Sequence, residues 1–237
     1  MPPVGFWAEV TSSYDSASGA LTFLTPSAVR ANDVLLAALV VANTAGAPTP
    51  PDGWSLLSTL AGGAGVAFTT YLYRRIASDE EPAQHVFGCG IATSPDPLGV
   101  FLLYRGLDAG AAVVDAQIAT TNPGSANHAA ASVTLVHYSD LVLLVYFDTT
   151  SPSSTMTPAA GTTQRAYLAG GDGNGAAIMV ADVLPQAVGA TGTKTAVAST
   201  AGLATGAAFA LQAVPTLSAP SVVPDIQGAI GFVTVGV

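Results

Sequence analysis

The sequence predicts an all-β protein: an antiparallel β-sandwich of jelly-roll type, built from two pseudo-repeats. Runs of Val, Leu, Phe, Tyr and Thr, five to ten residues long, are broken by Gly, Pro, Asn, Asp and Ser, with turn signals every eight to twelve residues. Ala-rich stretches are interrupted by Gly, Thr and Val, which argues against helix. Four blocks recur at one spacing, within a residue.

In chain order the first half predicts strands over 5–12, 20–25, 33–42, 54–60, 66–76, 84–89, 98–105 and 113–120. The second half predicts strands over 130–136, 140–147, 163–168, 176–184, 194–198 and 207–214. DVLLAALVV from Asp33 returns as DLVLLVYFD from Asp140, 107 residues later. TPPDGWSLL from Thr49 returns as TPAAGTTQR from Thr157, 108 later. TTYLYRRIA, ending at Ala77, matches AAIMVADVL, ending at Leu184, and GVFLLYRGL from Gly99 matches GAAFALQAV from Gly206, each 107 later. These blocks divide the chain into pseudo-repeats at 1–112 and 113–214, followed by an extended C-terminal arm at 215–237. Two repeats sharing one core is the expected packing, with two tandem sandwiches as the alternative.

Asp33 and Asp140 each stand before an apolar strand, where a short carboxylate can accept from nearby backbone N–H groups. The strands that follow are nearly continuously apolar rather than alternating. That predicts burial on both faces, by the opposite sheet on one side and by loops or a neighbouring chain on the other.

Charge is sparse: 6 Lys+Arg against 15 Asp+Glu, net −9, with 9% of residues charged, against about 25% in ordinary domains. Mean hydropathy is +0.51. So few cations, with Arg74–Arg75 the only adjacent pair, make phosphate neutralisation a poor basis for function, and no nucleic-acid partner is expected. A surface so poor in charge predicts a life in an assembly. The strongest apolar run, 34–42, is nine residues, half a membrane span, so no membrane partner is expected. MPPVGFWAEV does not read as a secretory signal, and the one cysteine, Cys89, cannot form an internal disulfide.

No catalytic constellation stands out. His85, His128 and His137 lack metal-ligand spacing, no G-x-S-x-G occurs, and neither a metal nor another cofactor is expected. Asp79, Glu80 and Glu81 before Pro82 read as a solvated hairpin tip rather than a glycosidase pair. GGDGNG at 170–175 lacks the helix and Lys of a phosphate loop and reads as a hairpin turn, with weak calcium binding through Asp172 and Asn174 as the alternative. Trp54, Tyr71 and Tyr73 read as packing residues, or, if exposed, as a strip for stacking on a surface glycan. The arm is interrupted by Pro215, Pro220 and Pro224 and ends in an apolar, β-prone stretch with Ile230, Phe232 and Val235, which predicts an interface with a neighbour.

The Asp-Val-Leu-Leu opening, the T-P-P-D-G-W turn at 49–54, the Tyr-Leu-Tyr-Arg strand, the Glu-Pro-x-x-x-x-Phe hairpin and the Leu-Tyr-Arg-Gly close at 103–106 resemble a recurrent jelly-roll-like β-sandwich family. Its members occur in phage virion proteins (tail, fibre and capsid-decorating components) and in some secreted bacterial proteins. The resemblance spans about 20–214 and is fainter in the second half, where Thr162 stands in place of Trp54. It implies a non-enzymatic, oligomeric virion component, assembled in the host cytoplasm with other virion proteins, and no catalytic residues.

Overall fold

The structure is a computed structural model and describes residues 4–42, 46–61, 68–90, 97–108, 113–119, 124–137, 140–148, 155–169, 176–184 and 187–214. Among them it is all-β, with no helix. The first half contains β1 (Gly5–Thr11), β2 (Ser13–Asp15), β3 (Ala20–Leu24), β4 (Val34–Ala42), β5 (Ser55–Ala61), β6 (Phe68–Ile76), β7 (Gln84–Gly88) and β8 (Leu98–Arg105). The second contains β9 (Val113–Ala119), β10 (Ser125–Ala130), β11 (Thr134–Leu135), β12 (Leu141–Asp148), β13 (Met156–Thr157), β14 (Thr163–Ala169), β15 (Ala177–Val183), β16 (Gly189–Ala190), β17 (Lys194–Gly202) and β18 (Ala204–Leu211).

Each half forms a five-stranded sheet facing a three-stranded one: β1-β8-β4-β6-β5 with β2-β3-β7, then β9-β18-β12-β15-β14 with β10-β17-β13 and the short β11-β16 ladder. Pairing is antiparallel and nested, β1 on β8, β3 on β7, β4 on β6, the closure of a jelly roll. The second half repeats it as β9 on β18, β10 on β17 and β12 on β15.

The repeat read from the sequence is therefore a repeat of register. Leu39 pairs with Gly99, and Tyr146 with Gly206, each residue displaced by 107. One block shifts by a residue: Leu36 faces Arg74 while Leu143 faces Asp182, so Asp182 corresponds to Arg74, not to Arg75. The 108-residue spacing of the Thr49 and Thr157 turns carries on into the strand after them. The expected strand at 130–136 is also corrected. It is two pieces, β10 ending at Ala130 and β11 at Thr134–Leu135, because the long partner β17 recruits SANHAA despite its weak β-propensity.

The continuously apolar strands prove to be two interleaved alternations. In β4, Leu35, Ala37, Leu39 and Val41 face the first sandwich's own core, with Phe23, Phe87 and Phe101. Val34, Leu36, Ala38 and Val40 face the opposite way, onto a second core shared with Leu141, Leu143, Val145, Phe147, Ile178 and Phe209 of the other half. In β12, Val142, Leu144 and Tyr146 return to the second sandwich's core. The two five-stranded sheets are thus stacked back to back in the middle of four layers. This corrects the expectation that loops or a neighbouring chain cover the second face: the other half of the same chain covers it.

All four outer strands of the large sheets carry one irregularity, at Trp7 in β1, Leu57 in β5, Val114 in β9 and Arg165 in β14. Trp7 and Val114 are 107 apart, Leu57 and Arg165 108 apart. Bulges at these positions twist the open edges away from strand addition.

No helix among the described residues is long and apolar enough to cross a membrane. The glycine-rich 170–175 and the arm, with Ile230, Phe232 and Val235, lie outside the described residues.

Candidate functional site

Among the described residues, four polar nodes interrupt the apolar interior, and one of them borders a cleft on the seam. The Asp hooks are the first node. Asp33 accepts from Arg30 N–H (2.9 Å), and Asp140 from His137 N–H (3.0 Å), each three residues back. Asp33 also takes both arms of the Arg105 fork, at 2.7 and 2.6 Å. Asp140 lacks an arginine; His137 Nδ1 lies 3.4 Å away without hydrogen-bond alignment.

The second node explains the T-P-P-D-G-W turn. Gly53 has φ +81°, and a Cβ there would stand 2.0 Å from Arg75 Nη1, so only glycine lets Arg75 reach Asp52 O (2.6 Å). Trp54 is then folded inward, where Nε1–H donates to His85 Nδ1 (3.1 Å). His85 must therefore carry its proton on Nε2, which lies 3.3 Å from Glu81 Oε1, close but not aligned as a hydrogen bond. Glu81 is clamped by Arg75 Nε and by Ser78 N–H (2.8 Å). Burial lowers the His85 pKa, against the pull of Glu81. Burial would raise the Glu81 carboxyl, but Arg75 and Ser78 outweigh it and hold it low. The acidic cluster expected at a solvated tip is thus split. Asp79 and Glu80 are exposed, while Glu81 is anchored inside.

The three aromatics named as a possible glycan strip lie in this interior: Trp54 is 7% exposed, Tyr71 9% and Tyr73 2%. Trp54 packs edge-on to His85, Phe87 and Phe101. The Tyr73 hydroxyl donates to Pro48 O, and burial pushes it up to about 12. These rings offer no open face to a sugar, because the Gly53 turn and the small sheet close over them. In the second half the turn persists without its aromatic: Thr162 N–H and Oγ1–H both donate to Ala159 O, where Trp54 N–H donates to Pro51 O.

A third node, His128 Nε2 at 3.1 Å from Asp148 Oδ2, is sealed in the second sandwich. His85 and His128 are both buried; His85 lies beside Glu81, four residues back, whereas His128 meets Asp148, 20 residues on, a pairing that sequence spacing could not show. Among the described residues no group of three or more His, Cys, Asp or Glu could hold a metal.

The fourth node lies on the seam and reaches the surface. The Tyr104 hydroxyl donates to Asp182 Oδ2 (2.9 Å), and Arg165 Nε–H donates to Asp182 Oδ1 (2.8 Å). Burial raises the Asp182 carboxyl, with Tyr104 and Arg165 opposing, and drives the Tyr104 hydroxyl well above its usual range. The Arg165 guanidinium lies 4.9 Å over the Phe6 ring, and Phe6 meets Tyr104 edge-on at 5.7 Å. Around them a cleft of about 250 Å³ is walled by Val4, Phe6, Leu141, Val183 and Leu184. One wall is β1 of the first sandwich; the other is β12, β14 and β15 of the second. Leu184 at its mouth is 43% exposed, and Trp7, under the Arg105 guanidinium at 4.0 Å, is 50% exposed. Beyond the β11-β16 ladder stand Val136 and Val188, 55% and 44% exposed. Val136 N–H is held by Asp140, one residue before Leu141 of the cleft. None of Tyr104, Arg165 and Asp182 was marked by sequence spacing as a group. They meet only because the two large sheets stack.

No family model, curated protein or solved structure matches the chain.

Proposed function

We propose that the chain is a structural protein that works by assembling: a capsid-decorating, fibre or tail component on the surface of a phage-type virion, without catalysis of its own. The observation that carries the reading is the apolar surface left at one end of the seam. Leu184, exposed, lines the cleft, and Val136 and Val188 stand exposed just beyond the β11-β16 ladder; the chain ends in an arm with one charge in 23 residues. Isolated exposed apolar side chains are ordinary; a cluster beside an apolar arm marks an interaction site. Three of the six cations, Arg75, Arg105 and Arg165, are engaged by internal carboxylates, which supports partners other than nucleic acid.

The partners are further copies and other virion proteins. Deleting residues 215–237 is expected to leave a folded body, by its unfolding transition, that no longer enters particles. Normal incorporation of the truncated chain, or a full chain that stays monomeric in light scattering up to high concentration, would overturn the reading. Sugar binding through Trp54, Tyr71 and Tyr73 has no comparable support, since those rings are buried.

A further inference from the structure

We propose that the seam cleft between β1 and β14 is the dock for the arm of a second copy, with the side chains of Ile230 and Phe232 seated against Val4, Phe6, Leu141 and Leu184. This rests on the assembly reading and names its contact. Its volume, about 250 Å³, falls below the roughly 300–1,000 Å³ of pockets that enclose a drug-sized ligand, so it suits one or two side chains. Among the described residues that line it, the charged groups are Arg165 and Asp182, which neutralise each other, and that suits an apolar occupant. In an extended segment Ile230 and Phe232 share a face, two residues apart.

The length of the arm decides whose cleft it fills. Leu211, three residues before the last described position, pairs with Leu141, which itself lines the cleft; Val214 N–H is tied to Gly106 O. The exit is therefore about two strand spacings, roughly 10 Å, from the cleft of its own copy. The segment 215–228 carries three prolines and no apolar run like 229–235. At about 3.1 Å per residue it can reach on the order of 40 Å. That overshoots the adjacent cleft severalfold and reaches a neighbour without doubling back.

The test uses full-length chains mixed in pairs, each carrying one engineered cysteine; native Cys89 is buried, and its burial pushes the thiol up to about 12, so it stays inert. Chains with Leu184→Cys and chains with Phe232→Cys are mixed and mildly oxidised. The expected result is a disulfide-linked heterodimer at least about tenfold above that from Phe232→Cys mixed with Val86→Cys, on the far small sheet, because docking lifts the local thiol concentration toward millimolar. A link formed only within one chain, in the double variant, would overturn the proposal, as would equal yields from both mixtures or no link at all. Oligomers in light scattering with no selective link would sink the dock alone. A monomer would sink the assembly reading too.

Discussion

At the scale of single residues, the interior ionisable groups set how stability follows pH. The His85 pKa is lowered in the fold, so its contribution is complete above the unfolded value near 6.5 and fades as pH falls through the folded value. The Glu81 carboxyl is also lowered, so its contribution is present above about 4.5 and is lost on further acidification. Melting temperature is therefore expected to drop in two stages, one as pH falls below about 6.5 and a second as it falls below about 4.5. His85→Gln, which can still accept from Trp54, should cost about 1 kcal/mol at pH 7 but flatten the first stage, as read by thermal scans at stepped pH. A first stage unchanged in the variant would show that another group controls it. The Asp182 carboxyl, raised by burial, works the other way: native-state cost appears as pH rises, so acid relieves the seam while weakening the Trp54 node.

At the scale of elements, two glycines set how closely the layers approach. Gly99 opens β8 under the first small sheet, where a Cβ would lie 2.5 Å from Phe23 Cζ and 2.8 Å from Leu39 Cδ2. Gly206, 107 residues on, would meet Ala129 O at 2.4 Å and Ala129 C at 2.8 Å. Gly99→Ala is expected to cost about 1–3 kcal/mol, because side chains can yield. Gly206→Ala should cost more, because backbone cannot, and urea denaturation of the two variants checks the order. The sequence showed both glycines as heads of matching strands, and it showed nearly every large-sheet strand and both Asp hooks. It missed β10 because Ser125–Ala130 has no aromatic or β-branched residue; its pairing comes from β17. It missed the seam node because a doubly buried strand announces two covered faces without saying what covers the second. It left Trp54 open between core and surface because the inward turn depends on Arg75, 21 residues later, reaching around Gly53.

At the scale of the whole molecule, the central core makes the two halves one thermodynamic unit. Leu102 and Leu143 are fully buried on the stacked faces, and a charge at either has no partner there. Leu102→Asp or Leu143→Asp is expected to cost at least about 4 kcal/mol and to lower the stability of both sandwiches together, seen as one shifted transition by tryptophan fluorescence and circular dichroism alike. Two separate transitions, with one half unmoved, would mean that the sheets merely touch. The low charge of the chain has the same origin. Much of what a composition count reads as greasy surface is the inside of a double-thickness protein.

The matching registers across the stack carry one more consequence. Two copies of a sandwich meeting through their broad sheets is how subunits of a dimer meet, yet here a single polypeptide supplies both. Joined covalently, the pair never has to find each other by diffusion, and the outer layers are released from having to stay alike. Trp54, Phe23 and Phe87 fill the first outer core, whereas Ala130, Ala196, Ala198 and a sealed His128–Asp148 pair fill the second. Where the copies touch, the 107-residue correspondence of Leu36–Leu102 with Leu143–Phe209 has stayed in step.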